Sequence, residues 1–197
     1  MLSKIIIKIV DYWVAKNIIK EEKRDIYEYG LDLIFSTIIN IAMVMITAVI
    51  MKKVPQSLAL LAIIIPLQSC GGGYHADKHG HCFLIMYTGW WIIIPLIPFI
   101  TSILGLVIAL ISVIIVFTLA PVPHVNVPMS KERFNKMKVI VRYVAGGGAV
   151  IGVGLLWFTG NGSIIGGSVI AGMAAVALSM VVARVIYWRK GSGMVKV

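Results

Sequence analysis

The sequence predicts an all-α, polytopic integral membrane protein with about six transmembrane helices and an N-terminal amphipathic interfacial helix. Apolar residues make up 59% of the 197-residue chain and charged residues only 13%, whereas about a quarter of an average soluble chain is charged. Ile, Val and Leu form long unbroken runs, and about 20 apolar residues suffice for one helical span. We therefore expect a single membrane domain covering residues 1–197.

Residues 1–28 predict an amphipathic N-terminal segment. Between residues 2 and 20, apolar side chains recur at helical spacing and lysines lie on the other face, which is typical of a helix in the membrane interface. A solvated helix packed on the membrane domain would show the same pattern. Residues 21–28 are expected to form a charged connector. The two faces consist of Leu2, Ile5, Ile6, Ile9 and Trp13, and of Lys4, Lys8 and Lys16.

Six apolar segments follow, and we expect each to cross the membrane once. The second is short and bounded by prolines, so the first two either span the membrane or form a re-entrant pair. Glycines within 146–154 and 166–172 give the last two spans small-residue faces suited to close packing. The expected spans are 31–50, 54–67, the two halves of 83–120 with a turn near Pro95, Pro98, Thr101 and Ser102, 139–158 and 163–185.

The formal net charge of +10 indicates membrane topology rather than nucleic-acid binding, because the basic residues flank apolar runs. Six spans place the N-terminal lysines, a Cys/His segment at 68–82, a basic loop at 121–138 and the C-terminus on one side. The positive-inside rule makes that side cytoplasmic, where its charge would contact anionic lipid. Lys52 and Lys53 fall on the other side. We expect no nucleic-acid partner.

The segment from Cys70 to Cys82 (CGGGYHADKHGHC) holds both cysteines and three of the four histidines. Ionisable residues near membrane depth indicate a functional site, and a cysteine beside histidines suggests thiol catalysis or metal binding. If Cys82 is a nucleophile, His79 is its better helical neighbour, whereas His75 on a continuous helix would lie about 10.5 Å away along the axis. If His75 is the base, the chain must fold back, which Gly80 and the preceding glycines permit. Spacing alone leaves both histidines open.

Two other interpretations of the segment compete with thiol catalysis. His75, His79, His81 and Cys82 are ligand types that zinc or copper accepts, although neither a C-x-x-C nor an H-E-x-x-H motif is present. The segment would then belong to a metal-binding membrane protein or a non-enzymatic transporter. Alternatively, it is a polar glycine-rich loop whose histidines have no chemical role.

Two blocks resemble the signatures of the accessory gene regulator protein B family, the membrane cysteine endopeptidases of Gram-positive quorum sensing. The first is Gly72-Gly73-Tyr74-His75-Ala76 followed by Cys82-Phe83-Leu84, and the second is APVPHVNVPMS at 120–130. The second is similar to the family's P-V-x-H-x-N-x-P-L loop. Chain size, amphipathic start and span pattern are similar too. The chain departs from the family at Gln68-Ser69-Cys70, where arginine is usual, and at Met129, where leucine is usual.

The resemblance implies that Cys82 is the nucleophile and His75 the general base, with no metal and no cofactor. The implied substrate is an autoinducing-peptide precursor with an amphipathic leader and an acidic C-terminal tail. The enzyme would cleave the tail and close a thiolactone or lactone through a thioester on Cys82. The resemblance also implies a homodimer in the bacterial cell membrane, with the site facing the cytoplasm.

Several other polar residues have two interpretations each. Gln68 could donate to an oxyanion or cap a helix, and Asp77 could orient an imidazole or remain solvated. His124 and Asn126 could bind substrate or shape the loop, while Cys70 is expected to be a packing residue. The basic loop could attract the acidic tail or only set topology. Its basic residues are Lys131, Arg133, Lys136 and Lys138.

Overall fold

The computed structural model describes residues 2–73, 79–122, 130–159 and 163–189. In these ranges the chain is helical apart from its connections and one isolated β-bridge, which confirms the predicted all-α class. Two short 3-10 turns, Glu21–Lys23 and Ile97–Phe99, accompany the α-helices. The α-helices are α1 (Leu2–Ala15), α2 (Arg24–Ile50), α3 (Val54–Gly71), α4 (His79–Leu96), α5 (Ser102–Leu119), α6 (Lys131–Phe158) and α7 (Ile164–Arg189).

Five of the described helices are long and apolar enough to cross a membrane, namely α2, α3, α5, α6 and α7. The predicted spans therefore hold for five of six segments, and the apolar part of the remaining one, Leu84–Phe99 in α4 and the turn after it, is shorter. Helix α3 continues through Pro66 to Gly71. Its 18 residues cover about 27 Å, close to the hydrocarbon thickness of about 30 Å.

Two predicted connections are wrong because helices begin inside them. Within the expected connector 21–28, α2 starts at Arg24. Within the expected loop 121–138, α6 starts at Lys131, and the Ser130 hydroxyl accepts a hydrogen bond from the Arg133 amide at 3.3 Å. Such a serine cap satisfies an otherwise unpaired helix donor, and the acidic Glu132 suits the first turn. A serine cap thus starts α6 within charged sequence, whereas α2 starts at Arg24 without a side-chain cap.

Helix α1 folds back on α2. Ile6 and Val10 are buried with Ile19, and Leu31 and Phe35 of α2 pack against this cluster. The Arg24 guanidinium bonds the Asp11 carboxylate at 2.5 Å and the Glu28 carboxylate at 3.2 Å. Because exposed ion pairs stabilise by only about 0–1 kcal/mol, the apolar cluster is the main attachment. Ile5, Ile7 and Tyr12 remain exposed, so a second apolar face is left for lipid.

Helix α7 is the central element and packs against α3, α5 and α6. A Cβ atom on Gly166 would lie 2.8 Å from the Gly152 carbonyl oxygen, and one on Gly152 would lie 2.7 Å from the Ile170 side chain. Gly148 and Gly172 both face Ile63 of α3. These glycines let neighbouring backbones approach closely. The predicted small-residue faces are confirmed at these four positions.

The bundle has two distinct ends. At the distal end, the Ser102 hydroxyl at the start of α5 donates to the Leu156 carbonyl near the end of α6, at 2.9 Å. There too the Trp90 indole of α4 donates to the buried Ser57 hydroxyl near the start of α3, at 2.9 Å. At the other end lie the end of α3, the end of α5 and the start of α6. We call it the motif end, because both sequence motifs reach it.

We expect Gly166→Ala to lower thermal stability and Gly146→Ala to leave it unchanged or raise it. The added methyl at 166 meets the backbone of α6, so the helices must separate at a cost of about 1–3 kcal/mol. A Cβ on Gly146 has nothing within 4 Å, and replacing a helical glycine by alanine gains about 0.5–1 kcal/mol. Thermal unfolding of both variants in detergent measures the difference. Equal melting temperatures would contradict the close α6–α7 crossing.

Candidate functional site

The first motif begins where α3 ends in three consecutive glycines. The Gly72 amide donates to the Gln68 carbonyl at 3.0 Å, which closes the last helical turn. Gly72 then has φ 71° and Gly73 has φ 153°. Side chains other than hydrogen rarely allow such angles. The glycine run therefore turns the chain sharply out of α3.

The two motifs are joined by their main chains, although they are far apart in sequence. The Val122 amide donates to the Gly71 carbonyl at 2.8 Å, and Gly72 pairs with Val122 in a parallel β-bridge. A Cβ atom on Gly72 would overlap the Val122 carbonyl oxygen. Val122 itself is 5% exposed. We call this contact the motif junction; it consists of Gly71, Gly72 and Val122.

Helices α6 and α7 form the floor beneath the junction. A Cβ on Gly71 would collide with the end of the Met180 side chain and lie 2.9 Å from Val141. A Cβ on Gly73 would lie 2.8 Å from the Ser179 hydroxyl oxygen. Ser179, Met180 and Val141 are absent from the sequence-based site. Neither motif contains them, and only the tertiary packing identifies them.

The structure describes only some of the predicted catalytic and substrate-binding residues. His75, Asp77, His124 and Asn126 lie outside the described residues. His79, His81 and Cys82 occupy the first turn of α4, but their side chains also lie outside the description. Gly80 lies inside α4, and whether the chain between His75 and Cys82 folds back falls outside the described residues. The sharp turn that the structure does describe is at Gly72 and Gly73.

Gln68 and Cys70 both lie in the last turns of α3. Gln68 is half-buried, and its suggested role as an oxyanion donor stays a prediction. Cys70 is a free cysteine that packs against the main hydrophobic core, as expected for a packing residue. Among the described side chains, no group of three His, Cys, Asp or Glu residues could hold a metal ion.

The four predicted basic residues of the second motif lie on two faces of α6 rather than in one loop. Lys131 and Lys138 are seven residues apart and share a face. Arg142, four residues further on, continues that face, and its guanidinium donates to the Phe117 carbonyl at the end of α5 at 2.9 Å. Arg133 and Lys136 are exposed on the other side. Lys131 is exposed too and Lys138 is half-buried; the Lys131–Lys138 face is thus the one that continues to the contact between Arg142 and α5.

These features define a class of protein: a polytopic α-helical membrane protein with two motif segments joined at one end of its bundle. The accessory gene regulator B family matches residues 3–182. The chain belongs to this family, which supports a role in quorum-sensing peptide processing. No curated protein sequence and no solved structure gives a significant match.

We expect Gly72→Ala to loosen the motif junction and reduce peptide processing at least about tenfold. The backbone at Gly72 strains any other residue by about 1–3 kcal/mol, and the new methyl overlaps the Val122 carbonyl oxygen. Gly89→Ala in α4 is the matched control, since nothing lies within 4 Å of its added Cβ. Processing is followed in cells and membrane insertion by fractionation. Full processing by a correctly inserted Gly72→Ala variant would show that the junction is dispensable.

Proposed function

We propose that this protein is a membrane cysteine endopeptidase that removes the C-terminal tail of an autoinducing-peptide precursor and cyclises the remaining core. The observation that carries the proposal is the motif junction. It ties the glycine run that precedes His75 to the segment that precedes His124. Helix α4, which begins at His79 and carries Cys82 in its first turn, follows the first motif directly. Both motif segments therefore start from one fixed point.

Cys82 is the proposed nucleophile. Thiolate, rather than thiol, attacks a carbonyl, and a neighbouring histidine can generate it. The first turn of a helix also favours negative charge, because unpaired backbone amides point outward there. Cys82 in the first turn of α4 is thus in a suitable place for a thiolate.

His75 is the proposed general base, as the family motif implies. His79 sits three residues before Cys82 on the same helix, a spacing that makes the two neighbours. In sequence His75 lies between the glycines with positive φ and helix α4. This choice rests on the family motif rather than on spacing.

The proposed reaction has two acyl transfers. His75 takes the Cys82 proton, and the sulfur attacks the carbonyl at the core–tail junction. The C–N bond breaks, His75 returns the proton to the leaving amine, and the acidic tail departs. The core's own thiol or hydroxyl then attacks the thioester carbonyl, gives up its proton and releases the Cys82 thiol. The second step forms a thiolactone or lactone and competes with hydrolysis only where water is excluded.

The motif end is the proposed cytoplasmic end. The bundle places the ends of α3, α5 and α7 and the start of α6 together, and Lys131, Arg133 and Lys138 lie there. By the positive-inside rule this end faces the cytoplasm. Lys52 and Lys53, at the α2–α3 turn, are the basic exceptions at the distal end.

The basic start of α6 is proposed to attract the acidic tail. Exposed ion pairs stabilise by about 0.2–1 kcal/mol each, so recruitment needs several charges together. All four residues lie near the start of α6 at the motif end, but the Lys131–Lys138 face continues to Arg142, which contacts the end of α5, whereas Arg133 and Lys136 lie on the other side of α6. Recruitment should therefore depend more on the first pair. The proposed assembly is a homodimer in the bacterial membrane, with no nucleic-acid partner and no cofactor.

Cys82→Ala and His75→Ala should each abolish tail release, while Cys70→Ala, His79→Ala and His81→Ala should retain most of it. Loss of the nucleophile or of the base removes the covalent route. Tail release is measured by mass spectrometry with purified protein in liposomes. The metal content of the same purified protein shows whether a metal co-purifies.

The results for Cys82, for the histidines and for bound metal test three separate parts of the proposal. Full cleavage by Cys82→Ala would end the cysteine-peptidase proposal. An essential His79 beside a dispensable His75 would instead assign the base to the helical neighbour. A tightly bound metal whose removal stops the activity would favour the metal-site alternative.

Replacing Lys131 and Lys138 together by glutamine should raise the apparent KM for the precursor about three- to tenfold at low salt, with little change in kcat. The Arg133→Gln, Lys136→Gln pair is the matched control and should change KM less. All four replacements together should weaken binding about tenfold or more, and the effect should fade as salt rises. An unchanged KM in a correctly inserted quadruple variant would mean that these residues only set topology.

A further inference from the structure

Helix α2 carries a ridge of side chains that changes from polar to apolar along its length. Asp32, Ser36, Asn40, Val44 and Ala48 recur every four residues and form one ridge, in which each side chain is a neighbour of the next and the ridge winds about 160° around the helix. Val44 and Ala48 are buried against α3 and α4 in a cluster that includes Trp90 and Ile94. Asp32, Ser36 and Asn40 are the polar ridge. Polar residues inside a span are costly and indicate a functional site.

The connection to α3 places the polar ridge at the level of the motif junction. Helices α2 and α3 are antiparallel across a three-residue turn at 51–53. Ser36 precedes the end of α2 by fourteen residues, and Gln68 follows the start of α3 by the same number. Both therefore lie about 21 Å from the turn. By the same reckoning Asp32 lies level with Gly72.

The contact between α2 and α4 gives a second, independent estimate of the level of the polar ridge along the bundle. Thr47 and Tyr87 share a hydrogen bond of 3.3 Å between their hydroxyl oxygens, and α2 and α4 run in the same direction. Asn40 lies about 10.5 Å before Thr47, and His79 lies about 12 Å before Tyr87. The ridge thus becomes polar at the level where the described part of α4 begins, at His79.

Ser36 is a half-buried residue of the polar ridge, and Asn40, one turn further along, is buried. The Ser36 hydroxyl oxygen is buried but finds no hydrogen-bond partner within the described part of the chain. Serine and threonine in helices commonly bond the carbonyl four residues earlier, as Thr47 does to Met43 at 2.9 Å and Thr118 to Ile114 at 2.8 Å. Asn40 is 7% exposed. A buried polar group without a partner costs about 1–3 kcal/mol.

We propose that the polar ridge is one wall of the peptide-binding site, where Ser36 and Asn40 hydrogen-bond the precursor's main chain beside the scissile bond. This inference rests on the proposed function. An extended peptide at membrane depth brings amides and carbonyls that need partners. Asparagine offers two donors and an acceptor, and serine offers one donor and acceptor lone pairs. Neither is charged, which suits main-chain groups better than a charged side chain. Beyond the polar ridge, Val44 and Ala48 pack against α3 and α4.

Disulfide cross-linking tests this placement without requiring catalysis. The protein carries Cys70→Ala and Cys82→Ala, together with Ser36→Cys, Asn40→Cys or Ile38→Cys. Ile38 is 57% exposed and lies on the opposite side of α2, so it is the matched control. The precursor carries one cysteine next to the scissile bond, with its other cysteines replaced by serine. Ser36→Cys and Asn40→Cys should cross-link at least about ten times faster than Ile38→Cys under mild oxidation.

A reference protein with Cys70→Ala and native Cys82 distinguishes failure of the polar-ridge inference from failure of the proposed function. If the reference cross-links but Ser36→Cys reacts no faster than Ile38→Cys, the polar ridge is not part of the peptide site and is covered by something else. If the reference fails as well, the precursor does not reach Cys82, and the proposed function fails with the inference. Competition by excess cysteine-free precursor should slow the expected cross-links at least about fivefold.

Discussion

A single main-chain hydrogen bond, from the Val122 amide to the Gly71 carbonyl, is the contact on which the site depends. It requires that α3 end without side chains, since a Cβ at Gly71 would meet Met180 and one at Gly72 would overlap Val122. The glycines therefore allow the end of α3 to approach Met180 and Val122 closely, and they also allow the positive φ angles. Because the bond lies between main-chain atoms, it fixes where both motif segments start, whatever side chains follow.

The helices beneath the junction explain why it can form there. Val141 of α6 and Met180 of α7 lie directly under Gly71, and both are fully buried. They are held by the close α6–α7 crossing at Gly152 and Gly166. Packing at the distal end thus positions the floor of the motif end through rigid helices. In a membrane, such close van der Waals packing holds the helices together, because the hydrophobic effect that assembles soluble bundles does not act between helices in lipid.

The sequence predicted the fold class and six spans, and five of these correspond to described helices long and apolar enough to cross a membrane, because runs of apolar residues indicate spans directly. It did not predict that α2 begins at Arg24 or that α6 begins at Lys131. Both starts lie in charged sequence, where Arg24 pairs with Asp11 and Glu28 and Ser130 caps α6, and hydropathy detects neither feature. The glycine run was recognisable as part of a motif, but its bond to Val122 was not. Ser179 and the polar ridge emerged only once helix registers were known.

Mass spectrometry of the intact protein can detect the proposed thioester between Cys82 and the peptide core. A precursor whose core thiol or hydroxyl is replaced by alanine cannot cyclise, so the acyl-enzyme should accumulate. The predicted result is a mass increase equal to leader plus core on the wild-type protein, absent in Cys82→Ala and reversed by hydroxylamine. Release of the tail with no mass increase on Cys82 would contradict the account.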